Sequence, residues 1–162
     1  MNANWDHETD LVVVGSGAAG MASALTASTA GLQAIVLEKA DLFGGTTALS
    51  GGVMWIPTNS LMPEANLEDS AEAALTYLKH NIGNRVGEAK LASLVKYAPK
   101  MLERMRSHGF LDVAIFEGFP DYNPEAPGGA QAGRSVEPKV FAGRKLGADL
   151  SLIHISEPTR PP

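Results

Sequence analysis

The sequence predicts an α/β fold in which a parallel sheet is flanked by helices, with additional helices further along the chain. Two short apolar runs, Leu11–Val14 and Ala34–Leu37, have the length and composition of strands buried on both faces. An alanine-rich helical run, about Ala18–Ala30, lies between them, and this strand–helix–strand order is typical of a parallel pair. Residues 67–109 then carry apolar side chains mainly at helical spacing.

A glycine-rich turn joins the first strand to its helix. Gly15, Gly17 and Gly20 occupy the glycine positions of the pattern G-x-G-x-x-G. The first permits a tight turn, the second lets backbone amides approach a pyrophosphate, and the third lets the helix pack closely on the strand. Phosphates would lie at the helix N-terminus, where unpaired N–H groups and the helix dipole favour negative charge. The turn therefore predicts a Rossmann-like dinucleotide site.

An acidic residue follows the second strand. Glu38 stands 18 residues beyond Gly20, where a carboxylate accepts hydrogen bonds from an adenosine ribose. The alternative is a glycine-rich turn with a purely structural role. The combined spacing of strand, turn, helix, strand and acid favours dinucleotide binding.

Composition excludes several classes of function. The 162 residues are 44% hydrophobic, enough to build a core for about one domain, and the net charge of −5 argues against nucleic acid or an anionic membrane as main partner. The absence of cysteine excludes disulfides and thiolate catalysis, and the four histidines are too scattered to predict a metal site. The polar first ten residues do not resemble a signal peptide, and no apolar run approaches the roughly 18 residues of a membrane span. We therefore expect a cytoplasmic protein with no transmembrane segment.

The stretch 43–52 distinguishes between dinucleotides. Two Gly-Gly pairs bracket hydroxyl residues, among them Thr46, Thr47 and Ser50. Backbone can approach a large ligand at the glycines, and the hydroxyls can hydrogen-bond to it. A simple nicotinamide-binding domain would instead continue into another helix and strand. Composition alone leaves open that this is only a flexible loop.

The sequence over residues 11–52 resembles the flavoprotein family that includes fumarate reductase, succinate dehydrogenase and the 3-ketosteroid dehydrogenases. Residues 53–59, VMWIPTN, are similar to a stretch typical of the 3-ketosteroid dehydrogenase branch. The same holds for residues 121–129 and 133–139. The resemblance covers nearly all of residues 10–149.

The resemblance implies a non-covalently bound FAD. Succinate dehydrogenase-like members attach the flavin to a histidine, and Gly45 stands at that position here. The residues implied to bind FAD come from the glycine-rich turn, the acid and the hydroxyl-rich stretch. They are Gly15, Ser16, Gly17, Ala19, Gly20, Glu38, Lys39, Gly45, Thr46, Thr47, Ser50, Gly51 and Gly52.

The resemblance also implies an FAD-dependent oxidoreductase that desaturates a carbon–carbon bond next to a ketone, most closely a 3-ketosteroid. A base removes the acidic proton α to the carbonyl, and the flavin accepts the neighbouring hydrogen as hydride. The resemblance assigns Tyr122 to the active site, where it would assist a second tyrosine. The alternative is that Tyr122 packs a turn between Pro120 and Pro124.

Two other functions stay open. One is a fumarate reductase-like enzyme or another flavoprotein dehydrogenase that acts on a smaller cyclic ketone. A fumarate site needs several cations for two carboxylates, and Arg134 and Arg144 are the visible candidates. The other is a catalytically inactive nucleotide-binding fragment. The sequence does not identify the electron acceptor.

The middle of the chain predicts helices that pack against a core. The first covers about Leu67–Asn81, with Asp69 or Ser70 as its cap and Asp69 and Glu72 spaced as a capping box. Its core side chains are expected to be Ala74, Leu75, Leu78 and Ile82. The second covers about Val86–Tyr97, with Leu91, Leu94 and Val95 on one side, and Pro99 either kinks it or starts a new helix to His108. Tyr77 and Tyr97 are expected in the core or at its boundary.

Strand and loop signals follow. Val113–Phe116 predicts a strand, and the turn-rich residues after it predict a long loop, which could be a lid, a binding segment or a disordered stretch. Residues 134–141 predict an extended strand at a sheet edge, because Pro138 has no N–H to donate.

The predicted organisation is an N-terminal part of an FAD-binding domain over residues 1–149, incomplete in its Rossmann-like sheet. It contains a helical segment, 67–109, and a loop-rich segment on the substrate side, 117–143. Residues 150–162 resemble the translation of a synthetic adapter used in DNA library preparation, which predicts a non-native tail and a longer natural protein. The alternative is an ordinary strand with a proline-rich tail.

Overall fold

The computed structural model describes residues 5–153, and the chain forms two compact units. Of the described residues, the first unit contains 5–51 and 141–153, and the second contains 52–140. Within residues 5–153, no helix is both long and apolar enough to cross a membrane.

The first unit is built on the predicted strand–helix–strand order. Strand β1 (Leu11–Val14) pairs in parallel with β2 (Ala34–Leu37), and helix α1 (Ala18–Thr29) connects them. Leu11 lies opposite Ala34 in this register. The helix ends at Ala30, and Gly31 adopts a left-handed φ of +78° that suits glycine after a helix. This unit confirms the α/β class and the boundaries of both strands.

The burial predicted for these strands is wrong in part. Val13 is buried, but Val12 is 56% exposed and Val14 is 84% exposed. Successive side chains of a strand point to opposite faces, and α1 packs on both strands. Among the described residues, the face of β1 that carries Val12 and Val14 is therefore largely open.

The rest of the first unit contains one short helix that the sequence did not predict. Helix α2 (Gly45–Ala48) replaces part of the expected loop. A 3₁₀ segment covers Gly143–Leu152, and Ile153 forms a parallel bridge with Phe43. Residues 150–153 of the predicted non-native tail belong to this arrangement, and residues 154–162 lie outside the described residues. The tail stays a prediction.

The second unit contains an antiparallel sheet in the order β3–β5–β4. Its strands are β3 (Met54–Trp55), β4 (Val113–Ile115) and β5 (Ser135–Pro138). The expectation that the last of these lies at an edge is wrong, because β5 is the central strand. Pro138 is its final residue, so the missing N–H falls at the end of the ladder, where little pairing is lost.

Helix α3 (Ala71–Ile82) begins with a serine cap. The Ser70 hydroxyl accepts a hydrogen bond from the Ala73 amide at 3.0 Å. Asp69 does not cap the helix, and the predicted capping box is wrong, because its carboxylate is bound to Thr58 and Arg134. The helix ends at Gly83, where φ is +61°.

Helix α4 (Glu88–Ser107) runs unbroken through Pro99. Leu91 and Val95 are buried as predicted. Leu94 is 43% exposed and Tyr97 is 54% exposed. The expectation that these two side chains pack in the core or at its boundary is therefore wrong.

Two apolar clusters form the core of the second unit. One joins the sheet to α4 through Ile56, Leu61, Leu102, Val113 and Val136. The other joins α3 to α4 through Ala74, Tyr77, Leu78, Leu91 and Val95. The predicted loop runs between β4 and β5 without helix or strand, and it is tied internally by backbone bonds such as that from the Asp121 amide to the Ala130 carbonyl.

Candidate functional site

The glycine-rich turn has a backbone that only glycine fits at two positions. Gly15 has a φ of +92°, and its amide donates to the Leu37 carbonyl at 2.7 Å. A Cβ on Gly20 would overlap the carbonyl oxygen of Gly15 and approach Val13 Cγ1 to 3.2 Å. The turn and the first part of α1 are therefore in direct contact with β1.

Gly17 lies at the N-terminus of α1 and leaves the space beside it open. It is the residue that precedes the helix, and it supplies no side-chain cap. A Cβ there would meet only Thr47 Oγ1, at 3.9 Å. An anion can therefore approach the amides of the first helical turn closely, as a pyrophosphate requires.

The Glu38 carboxylate is bound to the same turn. Its Oε2 accepts hydrogen bonds from the Ser16 amide, at 2.9 Å, and from the Ser16 hydroxyl, and its Oε1 accepts from the Ala40 amide at 2.9 Å. The Ser16 hydroxyl, then the Ala40 and Ser16 amides, lower the pKa of Glu38 to about 2. Glu38 is thus an exposed anion at neutral pH.

Glu38 keeps acceptor capacity toward a ligand. A carboxylate has about four lone-pair sites, and three donors within the chain bind this one. Sequence reasoning predicted an acid at this place but missed its bonds to Ser16. A hydroxyl residue inside the turn was the available signal, because the carboxyl ends of two adjacent parallel strands share one edge.

The hydroxyl-rich stretch lies beside the glycine-rich turn. The Ala18 amide donates to Thr47 Oγ1 at 3.2 Å, and the Gly44 amide donates to Ser16 Oγ at 2.8 Å. A Cβ on Gly45 would lie 3.5 Å from Gly17 Cα. Segments 28 and 29 residues apart in sequence are therefore in contact.

The structure brings some predicted residues together and leaves others at the surface. Gly15, Ser16, Gly17, Gly20, Glu38, Gly45 and Thr47 form one contiguous group. The remaining candidates of the first unit are exposed: Ala19, Lys39, Thr46, Ser50 and Gly51. Gly52 belongs to the second unit, where a Cβ would lie 2.8 Å from Pro138 Cγ, so its own packing requires glycine.

These residues fit the adenosine diphosphate end of a dinucleotide. The space beside Gly17 admits a phosphate, and the exposed carboxylate of Glu38 can accept from ribose hydroxyls. Gly45 has no side chain that could bond to a flavin covalently. Among the described residues, no group of three or more histidine, aspartate or glutamate side chains is arranged to hold a metal ion.

Tyr122 lies in the loop of the second unit and is 89% exposed. Its ring contacts Phe119 edge-on, with centroids 6.3 Å apart, and Phe119 stacks on Phe116 at 4.6 Å. The high exposure argues against the alternative in which the Tyr122 ring packs the turn.

A buried ionic cluster lies next to Tyr122 in sequence, and sequence reasoning missed it. The cluster consists of Asp69, Asp121 and Arg134, whose side chains are each no more than 2% exposed. Burial opposes ionisation of Asp69, but the hydrogen bonds from Arg134 and from the Thr58 and Ser70 amides, together with the positive charge of Arg134, outweigh burial and hold the pKa of that carboxyl below its usual range. Arg134 is therefore neutralised inside the protein, which removes it as a cation for a dicarboxylate substrate.

The chain was compared with known proteins. It matches the family model described as FAD binding domain over residues 10–157, a range that includes part of the predicted tail. It is 47% identical over 144 residues to 3-oxosteroid 1-dehydrogenase of Mycobacterium tuberculosis, covering 89% of this chain and 26% of that protein. It is 40% identical over 142 residues to 4-oxocyclohexanecarboxylate 2-dehydrogenase of Sinomonas cyclohexanicum, covering 88% of this chain and 25% of that protein.

A solved structure is also similar. This is 3-ketosteroid delta1-dehydrogenase from Sterolibacterium denitrificans in complex with 1,4-androstadiene-3,17-dione, with a TM-score of 0.82 and 38% identity, covering 92% of this chain and 26% of that chain. The chain thus spans about a quarter of the length of the relatives it matches. Because the family model matches most of its residues, the chain belongs to the FAD binding domain family, and FAD is its cofactor.

Proposed function

We propose that this chain is the N-terminal part of an FAD-dependent dehydrogenase that desaturates a carbon–carbon bond next to a ketone, with a 3-ketosteroid as substrate. The observation that carries the proposal is Tyr122, an exposed phenol on a loop that is anchored on both sides of it. An enzyme that removes an α-proton in an apolar site needs a proton-transfer group that is accessible and held in place.

The residues of this chain would perform two tasks. The turn at Gly17 and the carboxylate of Glu38 would bind the adenosine diphosphate part of FAD and fix the position of the cofactor. The bound flavin supplies a hydride acceptor. A second tyrosine in the rest of the protein would take the α-proton of the substrate, and the Tyr122 hydroxyl would hydrogen-bond to that tyrosine and relay the proton away from it. A phenol has an ordinary pKa of about 10, so such a relay is needed for it to act near neutral pH.

Charge and aromatic character favour a neutral ketone over a dicarboxylate. The nearest cation to Tyr122 in sequence, Arg134, is already bound to two carboxylates. The rings of Phe119 and Phe116 continue from Tyr122 and form an apolar surface. A small cyclic ketone is the second candidate, because one relative is named for a 4-oxocyclohexanecarboxylate substrate. The cytoplasm is the proposed location, and the electron acceptor is not assigned.

The test is turnover by the longer protein that carries residues 1–149. The purified flavoprotein is assayed with 4-androstene-3,17-dione, with 4-oxocyclohexanecarboxylate and, in the reductive direction, with fumarate, using an artificial electron acceptor or donor. We expect desaturation of the steroid with the highest kcat/KM. Preference for the cyclohexanone acid would select the second candidate, and fumarate reduction alone would overturn the proposal. If the flavoprotein is inactive with all three compounds, the result would favour a nucleotide-binding protein that does not desaturate ketones.

A further inference from the structure

The loop that carries Tyr122 is held by the buried ionic cluster defined above. The guanidinium of Arg134 donates from Nε and Nη2 to Asp69 at 2.9 and 2.6 Å. Its Nη1 donates to Asp121 Oδ2 and to the Gly128 carbonyl, both at 2.8 Å. One side chain therefore joins the start of β5 to the segment before α3 and to two points of the loop.

The Asp121 carboxylate accepts hydrogen bonds from three residues. Besides Arg134, it accepts from the Trp55 indole N–H at 2.6 Å and from the Ala130 amide at 2.9 Å. The Arg134 guanidinium also lies over the ring of Trp55, 5.6 Å from its centroid. These hydrogen bonds to the Asp121 carboxylate hold residue 121 in place relative to the sheet of the second unit.

The residue after Tyr122 is anchored by two residues of α3. The Asn123 amide donates to the Tyr77 hydroxyl at 3.3 Å, and its side-chain NH₂ donates to Asn81 Oδ1 at 2.6 Å. Tyr122 thus lies between two residues held by different partners, Asp121 by the sheet side and Asn123 by α3. The Tyr122 ring itself makes an edge contact with Phe119.

The energetics of buried ions indicate that the ionic cluster serves to position the loop. Replacing a buried ion pair by apolar residues is often neutral or stabilising, whereas removing one partner leaves an uncompensated charge. Two carboxylates on one buried guanidinium are therefore not expected to raise the free energy of unfolding above that of an apolar core. They do define one geometry sharply, because Arg134 presents its donors in a rigid planar fork.

We propose that Asp121, through Arg134, is a positioning residue that holds Tyr122 in the orientation for proton transfer. This inference rests on the proposed function of Tyr122. The cluster acts through the backbone of the loop, and neither Asp121 nor Arg134 contacts substrate in this scheme.

The first test requires no activity. Asp121→Asn keeps the shape of the side chain but replaces the Oδ2 acceptor of Arg134 and Ala130. ¹⁵N relaxation of the 162-residue chain is expected to give an order parameter for the Tyr122 amide near 0.85 in the wild type and below about 0.6 in the variant. The matched control is Asp112→Asn, which removes an exposed partner of Lys139 in the same unit and should change nothing at residue 122.

The second test is a double-mutant cycle in the longer protein. Asp121→Asn should lower kcat by roughly 10- to 100-fold with little change in KM, because misplacing a catalytic group by about 1 Å can cost that much. In the Tyr122→Phe background the same change should have no further effect on kcat. An equal loss in both backgrounds would mean that Asp121 does not act through Tyr122, and the proposal would be overturned.

A milder variant covers the case in which Asp121→Asn does not fold. Trp55→Phe keeps one aromatic ring at this position and removes the indole N–H that donates to Asp121, together with part of the ring surface against Tyr77 and Arg134, so it should loosen the same backbone to a smaller extent. An unchanged order parameter at residue 122 in folded variants, or a wild type already mobile there, contradicts the positioning role. If the longer protein does not turn over ketosteroids, the proposed function fails, and the relaxation measurement alone decides on the positioning.

Discussion

The hydroxyl of Ser16 donates to the carboxylate of Glu38 and accepts from the amide of Gly44. One buried serine in the glycine-rich turn therefore joins the end of β2 to the stretch that leads into α2. Ser16 thus holds Glu38, a residue of the predicted cofactor site, with its remaining acceptor capacity exposed.

Replacing Glu38 tests its role toward the ribose. We expect Glu38→Ala to weaken FAD binding by about 10- to 100-fold, the cost of a charged hydrogen bond, in fluorescence titrations of the longer protein that carries residues 1–149. Glu38→Arg should be weaker still, because it removes the acceptor. Glu8→Ala changes an exposed carboxylate of the same unit and serves as control. A Kd for FAD that is the same in Glu38→Ala and wild type would contradict the assignment.

The low pKa of Glu38 predicts a pH dependence. Its pKa in the folded chain, about 2, lies below the ordinary value of 4.5, so the ionised carboxylate favours folding. That contribution is complete above about pH 4.5 and is lost as the pH falls toward 2. The difference in Tm between wild type and Glu38→Gln should therefore be constant from pH 5 to 8 and shrink below about pH 4.5. A difference that persists unchanged at pH 2.5 would contradict this account.

Two glycines of the turn should respond differently to alanine. Gly20→Ala introduces an overlap with the Gly15 carbonyl, and we expect a loss of stability of about 1–3 kcal/mol in urea unfolding. Gly17→Ala meets no atom closer than 3.9 Å, so it should fold normally. It should nevertheless bind FAD more weakly, because its methyl group occupies the space for the pyrophosphate. Equal FAD affinity for Gly17→Ala and wild type would place the phosphates elsewhere.

Removing one hydroxyl tests Tyr122 in the longer protein. Tyr122→Phe should lower kcat by about 10²- to 10⁴-fold, the usual contribution of proton transfer by a positioned group. FAD content and Tm should not change, since the side chain is 89% exposed. Tyr97→Phe alters another exposed tyrosine of the same unit and should be neutral. If Tyr122→Phe turns over 3-ketosteroids at the wild-type rate, the Tyr122 hydroxyl has no role in catalysis.

The 162-residue chain by itself should not retain FAD stoichiometrically through gel filtration. The residues predicted to bind FAD in this chain serve its adenosine diphosphate end, and the open face of β1 exposes Val12 and Val14. An exposed apolar strand face promotes association between copies. Elution as a monomer with a full flavin absorbance spectrum would show that this chain forms a complete binding site.

Local signals in the sequence were sufficient for the elements that interact with their sequence neighbours. Strand β1, helix α1 and strand β2 follow from apolar runs and from alanine content, and the end of α3 follows from Gly83, whereas its start lies four residues after the predicted Leu67. The position of Glu38 at the edge of the glycine-rich turn follows as well, because parallel strands joined by one helix place their carboxyl ends together.

Predictions from the sequence were wrong where residues far apart in the chain decide the outcome. Asp69 has the spacing of a capping residue, but Arg134, 65 residues away, takes its carboxylate. Pro138 has the signature of an edge strand, yet β5 pairs on both sides and ends at the proline. Leu94 fits the helical period, but 43% of its surface stays exposed among the described residues.

The sequence by itself therefore determined the strand–helix–strand unit and the place of Glu38 after its second strand. Only the tertiary structure decided that Tyr122 is exposed between two anchored neighbours and that Arg134 is neutralised by Asp69 and Asp121. The physical reason is distance along the chain. Periodicity and turn propensity report interactions within a few residues, whereas a buried ion needs partners that folding brings together from remote segments.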